Sequence, residues 1–113
     1  MAAHTGAGLF LARHETVLRL MREMHGAARR GDWEHVSVLQ APYAEQVERL
    51  RAQGDGPLLT AHERALRLSL LRAIVAEDAA IRALLEPAVA EVRGRLDNGR
   101  RQQALVQTYG AAG

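Results

Sequence analysis

The chain has 113 residues, of which 48% are apolar, 25% charged and only 4% aromatic. That is enough for one hydrophobic core and too apolar for a disordered segment. The formal charge is +2. The pI near 9.9 arises because all 15 basic residues are arginine, which stays charged to very high pH, so it does not argue for nucleic-acid binding. With no cysteine, disulfides, thiolate metal sites and thiol nucleophiles are excluded.

No run approaches the roughly 20 apolar residues that span a bilayer. The N-terminal AAHTGAGLFLA lacks the basic leader of a secretory signal. A soluble, cytoplasmic protein with no membrane partner is the expectation. It reads as a single domain over residues 1–113, with flexible ends at 1–8 and 110–113.

With so few aromatics the core must be Leu, Val, Ile, Met and Ala, a mix that suits packed helices better than sheets. A first helix is expected over about 9–30, where Phe10, Val17, Met21, Met24 and Ala28 recur at helical spacing. Gly31 ends it. Asp32 caps a second helix over about 33–53, with Trp33, Val36, Leu39, Tyr43, Val47 and Leu50 as its apolar stripe. Pro42 falls on the polar side of that helix and costs one backbone hydrogen bond.

Gly54-Asp55-Gly56-Pro57 reads as a turn. Thr60 followed by Glu63 is a capping box, and it opens a third helix over about 61–97. Leu66, Leu70, Ile74, Ile81, Leu84, Leu85, Val92 and Leu96 form its core stripe. Leu68, Leu71, Val75 and Val89 form a second flank, with Glu77 and Asp78 bordering the core stripe on its two sides and Arg82 within the flank. Asp97-Asn98-Gly99 reads as a break before a short helix over about 100–109, whose apolar contacts are Ala104, Leu105, Val106 and Tyr109. So short a helix is marginal alone and should detach easily.

The fold class predicted is therefore all-α: an antiparallel three-helix bundle, joined by short connections, plus the short C-terminal helix. One apolar stripe suffices for a bundle helix, so the second flank must meet something else. It packs on the short helix or on the second helix, or it is a groove for a partner helix.

Nothing supports catalysis or a cofactor. There is no phosphate loop, HExxH, zinc or EF-hand spacing. His14-Glu15, Glu34-His35 and His62-Glu63 are adjacent pairs that point to different sides of a helix. Asp32 and His35 are explained by the helix cap, so no metal site is expected. Arg93, Arg95, Arg100 and Arg101 read as a solvated helix end.

Three colinear stretches carry a resemblance. They are Leu20-Met21 through Gly31-Asp32-Trp33, then Ile74–Val92 with its EDAAIRALLEP, then Arg100–Gly110 ending in TYG. Together they resemble the FliT family of flagellar type III export chaperones, and they cover most of the chain. Pro42 and Pro87, inside helices, depart from the family pattern.

The resemblance implies a chaperone for the filament cap protein FliD, holding its C-terminal helical region before secretion, with regulatory binding to FliJ and FlhDC. It also implies a regulatory C-terminal segment, 98–113, that partly masks the binding surface. Carried over, the binding residues are Leu71, Val75, Asp78, Arg82 and Leu85, to which the flank adds Leu68 and Val89. The masking helix would use Leu105, Val106 and Tyr109. Two other readings stand beside this one. The first is a small helical transcription-regulating or nucleic-acid-associated protein acting through its arginines, which would show steep salt dependence. The second is a structural homodimer that buries the flank across a two-fold axis.

Overall fold

Ten of the 24 residues of the first helix, α1 (Gly6–Arg29), are buried, and they make it the centre of the core. The computed structural model describes residues 6–110, with side chains through Thr108. Its described residues form three helices: α1, α2 (Trp33–Gln53) and α3 (Ala61–Gly110).

Along α1, Phe10, His14, Val17, Met21, Met24 and Ala28 are all buried, with Leu11, Leu18 and Ala27 filling the adjoining positions. Spacings of three and four put them on one side of a 3.6-residue helix. The helix starts at Gly6, three residues earlier than the sequence suggests. Ala7 is buried there, and Pro57 of the α2–α3 loop sits against Gly6. Of the end regions expected to be flexible, 6–8 and 110 are helical, while 1–5 and 111–113 lie outside the described residues.

The turn after α1 has the geometry its sequence predicts. The amide of Asp32 donates to Ala27 O at 2.9 Å and that of Gly31 to Ala28 O at 3.0 Å, the nested pair of a Schellman motif. Gly31 supplies the left-handed residue at φ 71°. Asp32 then accepts from the His35 amide at 3.1 Å, satisfying one of the free donors of α2.

Only Val36 and Leu39 of α2 are buried. Trp33, Tyr43, Val47 and Leu50 are half-buried. Pro42 stands exposed inside the helix, where its missing N–H leaves the Val38 carbonyl without a helical donor. The capping box forms as expected: the Glu63 amide donates to Thr60 Oγ1 at 3.1 Å, and the Thr60 amide to Glu63 Oε1 at 2.8 Å.

The third helix differs from the expectation in two ways. It runs 50 residues without interruption, through Pro87 and through Asp97-Asn98-Gly99, so no separate short helix exists over 100–109. Energetics explain the continuity. Carrying Asp, Asn and Gly inside a helix costs about 2 kcal/mol in total relative to alanine. Stopping there and nucleating afresh costs about 4 kcal/mol, from a nucleation constant near 0.001. Good helix formers on both sides let propagation win. Beyond the break point, Thr108 Oγ1 donates to Ala104 O at 2.9 Å; before it, Arg95 pairs with Glu91 one turn back.

The core stripe is the second difference. No described side chain of α3 is buried. Leu70, Ile74, Ile81 and Leu84 are half-buried, whereas Leu66, Leu85, Val92 and Leu96 are exposed. Within the stretch Ala83–Gly113, α3 is the one element described, so nothing in that stretch covers Leu85, Val92 and Leu96.

The chain divides into two compact units, Met1–Arg82 and Ala83–Gly113. In the first, α1 packs on α2 and is tied to α3 by polar contacts. Glu77 accepts from His25 Nδ1 at 2.6 Å and lies 3.9 Å from Arg22 Nε. In the second, Leu84 and Ala88 are half-buried, and every described side chain from Val89 to Thr108 is exposed. A Cβ added at Gly99 meets nothing within 4 Å. Gly99→Ala should therefore stabilise this part of α3 by about 1 kcal/mol. Slower amide exchange around residue 99 would register the gain, and unchanged exchange would contradict a helix there.

Candidate partner-binding surface

The candidate residues on α3 are divided between the two units. Within the first unit, Leu68, Leu71, Val75, Asp78 and Arg82 are spaced 3, 4, 3 and 4 residues apart. This spacing makes an apolar seam on one helix face. Leu68 and Val75 are exposed, the latter at 67%. Leu71 and Asp78 are half-buried and Arg82 is exposed. Asp78 and Arg82 satisfy each other, Nε to Oδ2 at 2.9 Å, as a pair one helical turn apart. An exposed pair of this kind adds little stability, but it fixes where charge sits along the apolar line.

In the second unit, Leu85, Val89, Val92 and Leu96 repeat the same spacing, 4, 3 and 4 residues, and all four are exposed. Leu105 and Val106 are also exposed, at 55% and 70%. The side chain of Tyr109 lies outside the described residues.

Next to the first seam lies a feature the sequence reading passed over. His14 is 2% exposed, and its Nδ1–H donates to the Phe10 carbonyl at 2.8 Å. Its other ring nitrogen then accepts a long 3.5 Å hydrogen bond from Arg67 Nε. Phe10 meets His14 edge-on, with centroids 4.7 Å apart, and the Arg67 guanidinium lies 5.2 Å above the Phe10 ring.

A cavity of about 280 Å³ opens beside this cluster, lined by Phe10, His14, Val47, Leu50, Arg51, Gly54, Arg67 and Leu71. A larger, shallow groove of about 470 Å³ runs between α1 and α3 past Leu18 and Leu70, with Glu15, Arg19, Arg22 and Glu23 at its edges. The signal for the cluster was present in the sequence. Phe10, His14, Val17 and Met21 are spaced 4, 3 and 4, so the histidine occupies a core position of an otherwise apolar stripe.

Among the described residues, no three His, Cys, Asp or Glu side chains come together as metal ligands. No described helix is long and apolar enough to cross a membrane.

An exposed apolar face on α3 beside a small buried core on α1 and α2 defines a small all-helical protein. The model of the family described as "Flagellar protein FliT" matches residues 11–111. The crystal structure of flagellar protein FliT from Bordetella bronchiseptica superposes with a TM-score of 0.70 at 30% identity, covering 75% of this chain and 96% of that one. No curated protein matches the sequence. The chain belongs to the FliT family of flagellar proteins.

Proposed function

We propose that the chain is a cytoplasmic export chaperone of the flagellum. Its client is the filament cap protein FliD, whose C-terminal helical region it covers before type III secretion. The observation that supports this best is the exposed apolar line on α3 in a member of this family. Leu68, Leu71, Val75, Leu85 and Val89 supply apolar contact, at roughly 25 cal/mol per Å² buried before ordering costs. Asp78 and Arg82 set register through charge. FliJ and FlhDC are further partners in this reading, and no nucleic acid is bound directly.

Residues 98–113 act as the regulatory segment, with Leu105, Val106 and Tyr109 competing for the client surface. Because α3 is continuous, such competition requires the helix to open at its weakest point, Asp97-Asn98-Gly99. Co-purification of the full chain with FliD, with and without the C-terminal region of FliD, tests the client. Removing residues 98–113 should tighten binding by removing the competitor, and calorimetry showing equal or weaker binding would refute the competition. A second copy of the chain is the rival occupant of the seam, favoured by the same exposure of Val75 and Val89. Light scattering at several concentrations separates a dimer from a free surface.

A further inference from the structure

Two neighbouring cavities in the first unit share the side chains Arg67 and Leu71. One is the 280 Å³ cavity above Phe10. The other, about 160 Å³, is lined by Arg64, Arg67, Leu68 and Leu71. Their chemistry is one-sided. The walls are apolar, from Phe10, Val47, Leu50 and Leu71, while the charged lining residues are Arg51, Arg64 and Arg67, with no carboxylate among them.

Of these three cations, Arg51 is already paired with Glu48 at 2.6 Å. Arg64 donates to the Leu59 carbonyl at 2.7 Å, which leaves its charge uncompensated. Arg67 is half-buried and held by His14 and the face of Phe10. Among the described residues, no acidic group lies within 4 Å of either Arg64 or Arg67. An immobilised, partly dehydrated guanidinium beside an apolar cavity is preorganised for a carboxylate.

We infer that this corner of the molecule receives an amphipathic partner helix at a point where an apolar side chain stands one turn from an Asp or Glu. The apolar group enters the cavity over Phe10, against Leu71. The carboxylate meets Arg67 and Arg64. The inference deepens the reading of α3 as a client surface: it adds that the client segment is acidic at this end, and that charge as well as apolar area selects it.

The test uses three synthetic amphipathic peptides of 18 residues with identical leucine positions. Their flanking residues are all Glu, all Gln or all Lys. Binding to the full chain is followed by fluorescence anisotropy at two salt concentrations. The Glu peptide should bind about tenfold tighter than the Gln peptide, the Lys peptide weakest, and the preference should shrink in higher salt.

Arg67→Gln should erase most of the preference. Because Arg67 also packs on Phe10, Arg64→Gln on the exposed surface is the second variant, expected to lower the preference two- to threefold with no change in thermal stability. Equal binding of the Glu and Gln peptides would overturn the inference, as would a preference that survives both variants. The full-length cap protein serves as the control. If it binds while the peptides show no charge preference, the inference alone fails. If it does not bind at all, the client reading fails.

Discussion

Phe10→Ala should lower the stability of the fold by about 3–5 kcal/mol, the usual cost of deleting a buried ring. The ring is 1% exposed. It is held by His14 at its edge and Arg67 over its face, and it lies directly beneath the α2–α3 loop. At Gly56 in that loop a Cβ would stand 2.5 to 2.8 Å from three Phe10 ring atoms, and the backbone there has φ +74°.

Gly56→Ala should accordingly cost about 1–2 kcal/mol for the left-handed conformation and a further 1–3 kcal/mol for overpacking against the ring. The double variant separates the two terms, because removing the ring removes the clash and leaves the backbone cost. Urea unfolding should show the double variant less destabilised than the sum of the singles by about 1–3 kcal/mol. Strict additivity would mean the loop does not close on Phe10.

The largest effect on binding is expected from charge placed in the α3 seam. Leu68→Glu combined with Val75→Glu puts two carboxylates where the proposed client helix lies. Leu68→Glu gives Arg64, one turn back, a carboxylate in place of the client's. Val75→Glu buries a charge in the apolar line at about 3 kcal/mol or more, so affinity for FliD should fall at least about 100-fold. Both positions are exposed in the free chain, so its thermal stability should move by no more than about 0.5 kcal/mol for each substitution. Val38→Glu is the matched control, an exposed apolar residue on α2, and should alter neither quantity. Binding that survives the double substitution would remove the seam from the client site.

Much was legible from residues alone because it depends on neighbours in sequence. The cap at Asp32, the left-handed stop at Gly31 and the reciprocal bonds of Thr60 and Glu63 are local hydrogen-bonding decisions, and their residue types announce them. The all-helical class and the limits of α2 follow from periodicity in the same way. The apolar line through Leu68, Leu71 and Val75 could also be placed on one face from spacing.

Periodicity could not say which apolar face is covered, because a wheel records direction without knowing what stands opposite. It therefore gave α3 a buried stripe, whereas Leu66, Leu85, Val92 and Leu96 are exposed. It also passed over His14, whose polarity hid a core position that Phe10 and Arg67 make tolerable. Asp97-Asn98-Gly99 reads as a break by residue type. Whether a helix stops there is settled by the balance between three weak positions and the cost of a new nucleus, and continuity prevails. Sequence by itself determined the helical class, the limits of α2, the caps and the family. Burial, which depends on the length and number of the elements available to cover a surface, was decided only by the tertiary structure.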